Sequence, residues 1–577
     1  MLVHLCSSSL HAQQVAKFYI DDKKGNDYNN GSKNYPWKTI TKAKLFTAQY
    51  RNPNCTLLKF ILAEGNYVIT EPLQFAPENG GSAFKAVEYF AEDNKQVTVT
   101  GAITLTSRWK RIYGSQIYEL DVSKLPVFRT LYKNDSILKR SSSPYFKTVK
   151  SELGNITIPR YDFKLLNTLS KKTLNPFLSI SYDKNEIKNP KDMENSEIIV
   201  YNSWEASWHS VAFVDTINEK VYFKNPLFYP VGFFGSQNYY RVENSKAFLK
   251  EGTWFLDNKA KKLYYKAIAN ENPNEMDFKV PVLTELLILK GNKKRNLEHL
   301  KFNGITFKYT AGLWGKTLFS SQFISDNLKK YSYLKATDGY LGTQGAFNCG
   351  QAIMITYSNN IVFENCKFEN LGGYGLNISD YSFSNSILNG YFNKCGGGGI
   401  ILGLDKPGAK LGSLPSKIVP TNNKIINNLI ENCGLFYLSS VGIAVLQSNH
   451  NNITGNTIRH MPYSGISVGW SWNDLENYTF NNEILNNNIS NVIEELGDGG
   501  GIYTLGNQKG SLYWGNHIHN IKRNIRAIGG SNNGMFFDEG SSDFTVEKNV
   551  VEEIGGNVYK FNKSDKTRLK FQNNNFN

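Results

Sequence analysis

The sequence predicts an all-β protein built mainly as a right-handed parallel β-helix, interrupted by an inserted antiparallel β domain. Three observations carry this. One phrase recurs from residue 359 onward: a short Ile/Val-containing strand, one or more Asn, a further apolar residue, a Gly-rich turn, then Gly-apolar-x-apolar. Aligned on Phe368, Phe392, Ile430, Ile458, Ile489, Ile518 and Val551, the repeat steps by 24, 38, 28, 31, 29 and 33 residues, which suits a solenoid whose turns carry loops of different length. Short alternating strands with no helical period between them favour a parallel β-helix over leucine-rich repeats or a propeller. Asn456, Asn487, Asn516 and Asn549 each precede the aligned apolar position by two residues. Stacked coils let such residues bond to one another in a ladder, and Asn tolerates the left-handed backbone of a tight turn.

Met1–Gln14, MLVHLCSSSLHAQQ, reads as a signal-peptide remnant, with Leu10-His11-Ala12 as its small-residue cleavage site. The expectation is a secreted or periplasmic bacterial protein. Residues 15–105 read as an N-terminal cap and the first coils. A strand and an Asp/Asn/Gly turn lead through Pro36-Trp37 into a short helix at Ile40, and the runs 57–69 and 97–105 follow as coils. Such a cap shields the first coil from edge pairing. Residues 106–285 break the repeat and are rich in Trp and Tyr, including the Trp204/Trp208/His209 cluster. Within them 252–265 is a hairpin around Asn258-Lys259. Residues 286–577 carry the main β-helix and the expected active site. Cys395 and Cys433 both fall three residues after the aligned position, so they should stack as small buried residues rather than as a disulfide.

Forty per cent of the 577 residues are hydrophobic and 13% aromatic, enough to bury a large core and to exclude global disorder. The formal net charge is +15, but Lys and Arg are spread along the chain rather than gathered in a stripe, so no nucleic-acid partner is expected. A diffuse positive field suits either solubility or encounter with an anionic polymer. No apolar run reaches the roughly 20 residues of a membrane span, and no basic amphipathic helix occurs, so no membrane partner is expected. No CxxC occurs, and no metal or cofactor is expected.

Several segments resemble glycoside hydrolase family 141, bacterial β-helix enzymes that include α-L-fucosidases and xylanases. These are YID…GND…PWKTI at the start, RTLYKNDSILKR (129–140), EGTWFLDNKAKKLYY (251–265), FNGITFKYT (302–310), YSGISVGWSW (463–472), DGGGIYTLG (498–506) and FFDEGSS (536–542). The resemblance runs over nearly the whole chain in order. It implies a β-helix carrying a β-sandwich-like insertion, a poly- or oligosaccharide substrate, and two catalytic aspartates, which fall at Asp498 and Asp538.

Glycosidic cleavage generally uses one carboxyl to protonate the leaving oxygen and a second as nucleophile or base. Asp498 and Asp538 lie 40 residues apart, on adjacent coils. Adjacent strands lie about 4.8 Å apart, near the roughly 5 Å carboxyl separation of a retaining enzyme. The register resists this pairing. With Ile502 opposite Met535, Leu505 faces Asp538, and Asp498 lies seven residues earlier. On a straight strand that is about 23 Å. The pair requires Gly499-Gly500-Gly501 to bend the chain back over the sheet. A straight strand offers other acids: Asp405, Asp474, Asp538 and Glu539 all follow a Gly-apolar-x-apolar strand and should line one sheet edge beside Trp470 and Trp472. Asp538 belongs to both readings. Trp470 and Trp472 should face the same way, as sugar platforms or as core. His460, Tyr463 and Tyr503 are candidates for substrate hydrogen bonds. A β-helix polysaccharide lyase acting by β-elimination and a non-catalytic carbohydrate-binding solenoid are the competing functions. Oligomeric state is left open.

Overall fold

The computed structural model describes residues 14–151, 175–235, 237–314 and 339–576. The expected signal-peptide remnant falls almost wholly on residues 1–13, outside the described residues.

The chain forms a right-handed parallel β-helix whose coils contribute to three long sheets of 12, 11 and 10 strands. Each coil adds one strand to each sheet in the same direction, so pairing is parallel throughout the solenoid. The aligned apolar positions form one interior column. Phe368, Phe392, Ile430, Ile458, Ile489, Ile518 and Val551 pair in unbroken succession and are fully buried. Each removes a large side chain from water, at about 1.5–3 kcal/mol of transfer free energy.

The recurring glycine has a steric cause. Gly375, Gly399, Gly442, Gly465, Gly501 and Gly534 lie against the column: a Cβ there would come within 2.3–2.8 Å of Phe392, Ile430, Ile458, Ile489, Ile518 and Val551 respectively. The Asn ladder is also present. Asn428, Asn456, Asn487, Asn516, Asn549 and Asn574 each donate or accept side-chain bonds of 2.9 Å along the stack. A second ladder through Asn385, Asn423, Asn451 and Asn482 lines another turn. These bonds satisfy buried polar groups that would otherwise cost about 1–3 kcal/mol each. Cys395 and Cys433 are free, buried and in contact.

At the N-terminus the helix Ile40–Gln49 starts at Thr39, whose side chain accepts from the Lys42 amide. Trp37 stacks on Phe18 at 5.1 Å and closes the first coil. The antiparallel strands begin at Ala102–Thr104, which pairs with Phe278–Pro281, so the chain leaves the coil slightly before the expected residue 106. Trp254–Asp257 and Lys262–Lys266 form the expected hairpin, with Lys261 in the left-handed region of a turn spanning 258–261. A second excursion returns Gly339–Tyr340 to the insertion, where it pairs with Ala206–Asp215. The insertion is thereby fastened to the coils on two sides.

Candidate functional site

The coil strands Gly499–Thr504 and Asn532–Phe537 build the site. They pair in a constant register, Gly499↔Asn532 through Thr504↔Phe537. The expected bend at Gly499-Gly500-Gly501 is therefore absent: the three glycines run inside the paired strand. The turn falls one residue earlier, on Asp498, which adopts φ +56. Its amide donates to the Gly530 carbonyl at 3.1 Å, and its Oδ1 lies over Gly530, where a Cβ would come within 2.0 Å. Gly530 is what allows this carboxylate to swing over the sheet.

Asp498 and Asp538 both take partners from the next coil. Lys560 Nζ lies 3.1 Å from Asp498 Oδ1, and Asn562 Nδ2 donates to Asp538 Oδ1 at 2.6 Å. These two partners are separated by one residue and so share a face. Tyr503 donates its hydroxyl to Asp538 Oδ2 at 2.5 Å. Burial pushes the Asp538 carboxyl above its ordinary range. The bonds from Tyr503, Asn562 and the Glu539 amide oppose this, and the negative charge of Asp498 adds to the rise.

Tyr463 is fully buried and donates to the Asp498 carbonyl at 3.1 Å. Gln344 hydrogen-bonds both Tyr463 and Tyr503, and burial drives both phenols well above their ordinary values. Glu539 turns to the cavity and pairs with Lys563 at 2.8 Å.

The remaining candidates lie elsewhere. Asp405 accepts from Trp470 Nε1 at 2.8 Å, and Trp470 packs on Trp472 at 4.8 Å and on Phe347 at 5.0 Å. Trp470 is buried, and the segment after Val468 is not strand. Asp474 is exposed and held by Arg568 at 2.7 Å, which also binds Asp543. Of the four acids expected on one edge, Asp405 and Asp474 thus bond to partners other than those of Asp538 and Glu539. His460 faces Glu494 at 3.3 Å in a second cavity of about 590 Å³ that also touches Arg129, Arg140 and Glu495.

A cavity of about 320 Å³ opens beside the pair. Asp498, Glu539, Lys560 and Asn562 line it from the coils, and Trp204, Phe233 and Phe234 from the insertion. Of the Trp204/Trp208/His209 cluster, only Trp204 reaches it. Trp208 donates to the Phe436 carbonyl at 2.8 Å, and His209 is buried between Ser207 and the Asn225 carbonyl, with burial lowering it to about 4. Among the described residues no cluster of three or more His, Cys, Asp or Glu is arranged to hold a metal ion.

The family model described as right handed beta helix region matches residues 296–409. No curated protein matches the chain. A solved structure named "Glycoside hydrolase" superposes with a TM-score of 0.76 at 20% identity, covering 97% of this chain and 96% of that one. "The complex structure of XylC with xylose" gives 0.48 at 12% identity over 93% and 75%. "Rhamnogalacturonan lyase" gives 0.41 at 10% over 97% and 87%. The first likeness establishes a shared fold across coils and insertion together. The other two are too distant to argue from.

Proposed function

We propose that the chain is a glycoside hydrolase that cleaves a poly- or oligosaccharide with Asp538 and Asp498, in the manner of the α-L-fucosidases and xylanases it resembles. One observation carries the reading: Asp538, desolvated with a raised pKa, is bonded by Asn562, while two residues away Lys560 pairs with Asp498, and Asn562, Lys560 and Asp498 all line the cavity. A buried acid held protonated near an ion-paired carboxylate suits a proton donor and a base or nucleophile. Asp538 is the proton donor in this reading. It protonates the glycosidic oxygen as the anomeric C–O bond breaks. Asp498 stabilises or captures the anomeric carbon, and water supplies the hydroxyl that ends there. A β-eliminating lyase needs a cation for the substrate carboxylate, whereas Lys560, the basic side chain lining the cavity, already pairs with Asp498. A secreted or periplasmic location belongs to the same proposal.

The test is product analysis followed by two substitutions. Hydrolysis releases saturated reducing sugars, whereas a lyase generates an absorbing unsaturated product. Asp538→Asn and Asp498→Asn should each lower kcat by about 10²-fold or more with the fold intact. Wild-type turnover by Asp538→Asn refutes the assignment.

A further inference from the structure

The insertion's role at the cavity is explained neither by the coils nor by the carboxyl pair. Its turn Asn202–Glu205 joins the strands Glu197–Tyr201 and Ala206–Asp215 and is closed by the Asn202 amide donating to the Glu205 carbonyl at 2.8 Å. This turn is pinned to the coil that carries Asp498. The Gly497 amide donates to the Ser203 carbonyl at 2.7 Å, and Gly529 lies so close to Ser203 that a Cβ would come within 1.9 Å of its Oγ. Ser203 Oγ is buried without a hydrogen-bond partner among the described residues. Trp204 stands next in the turn and is steadied edge-on by Tyr229 at 5.6 Å and Phe234 at 4.9 Å. The wall is therefore rigid, aromatic and set across the cavity from the acids.

The half-open cavity, about 320 Å³, sits at the bottom of the roughly 300–1,000 Å³ range of small-ligand pockets and has room for a pyranose ring with its hydroxyls. The cations at its edge are committed: Lys560 to Asp498, Lys563 to Glu539, and Arg523 to the carbonyls of Ala527, Gly529 and Gly530. An acidic sugar would enter facing carboxylates without a spare cation.

We infer that the insertion's Ser203–Trp204 turn walls a subsite for an uncharged sugar ring, with Trp204 as the surface against which that ring lies. This rests on the hydrolase reading for its chemistry but not for its binding. Aromatic faces favour the C–H face of a sugar as they do other apolar surfaces, and a rigid platform loses little entropy on binding.

Two independent readouts test it on the full chain. Saturation-transfer NMR with a panel of neutral monosaccharides should show binding by the wild type that Trp204→Ala loses and Trp204→Phe keeps. On a neutral oligosaccharide, Trp204→Ala should lose about tenfold or more in kcat/KM, and Trp204→Phe should stay within about threefold, since a tenfold change is only about 1.4 kcal/mol of lost contact. Binding without turnover by the wild type refutes the hydrolase reading and supports the subsite. Equal turnover of a uronic-acid substrate, or wild-type binding by a folded Trp204→Ala, overturns the subsite.

Discussion

Glu205 is a fully buried carboxyl at the junction of insertion and coils, and its substitution by Gln should stabilise the protein in a strongly pH-dependent way. Its side chain has no exposure. Oε1 accepts from Asn202 Nδ2 at 2.8 Å, and Oε2 has no hydrogen-bond partner among the described residues. Burial pushes the carboxyl up to about 8, from an ordinary value near 4.5, with only the Asn202 bond opposing. The folded state therefore holds the neutral acid where the unfolded chain ionises. The stability this group contributes is intact below about pH 4.5 and is lost progressively as pH rises to about 8. The slope is about 1.4 kcal/mol per pH unit, so the whole loss is on the order of 5 kcal/mol. Gln keeps the shape and the Oε1 acceptor but never ionises. Near pH 4.5 the Gln variant should be no more stable than the wild type, because a protonated Glu leaves one O–H donor unpaired and a Gln leaves two N–H donors. The difference should then shift in the variant's favour as pH rises and level off above about 8. Thermal or urea unfolding of both proteins from pH 4.5 to 9, taken as a difference so that other titrations cancel, measures this directly. A gap that stays constant across that range would refute the burial argument.

Two further outcomes follow from the coils and the acid. Ile430→Ala empties part of the interior column between Phe392 and Ile458, and should cost about 2–5 kcal/mol in equilibrium unfolding; a loss below about 0.5 kcal/mol would contradict the stacking register. Tyr503→Phe removes a hydroxyl that holds the Asp538 carboxyl down, so the alkaline limb of the pH–rate profile should move upward by about one unit, the worth of one hydrogen bond to a charged group; a downward shift or none contradicts the assignment of Asp538 as proton donor.

The coils were legible because each of their determinants repeats. Ile430, Ile458, Ile489, Ile518 and Val551 each follow an Asn by two residues, and a glycine opens the next strand in coil after coil; these signs answer to three local contacts: the column, the missing Cβ and the ladder. A single error in register would have misplaced all three together, so their agreement fixed the stacking before any coordinates. The insertion was legible only as an interruption. Its strands pair across long separations, as Ile117–Asp121 does with Lys262–Lys266 and Ala102–Thr104 does with Phe278–Pro281, and no period announces such pairing.

As a pair, the candidate acids were legible only through the family resemblance, and what stands beside them was not legible at all. The reading that paired Asp498 with Asp538 required a bend at Gly499-Gly500-Gly501, yet those residues run inside a paired strand, close to neighbouring coils. The positive φ fell on Asp498, a residue type that tolerates it, and the space for its carboxylate came from Gly530 on the next coil. Lys560 and Asn562 lie beyond the last strongly repeating phrase, and Trp204 lies almost 300 residues before Asp498. None of them carries a local signature. Their functional meaning comes from the stacking of one more coil and the docking of one turn, so the family resemblance points to the carboxyls, while only the assembled solenoid explains why a lysine, an asparagine and an inserted tryptophan complete the cavity around them.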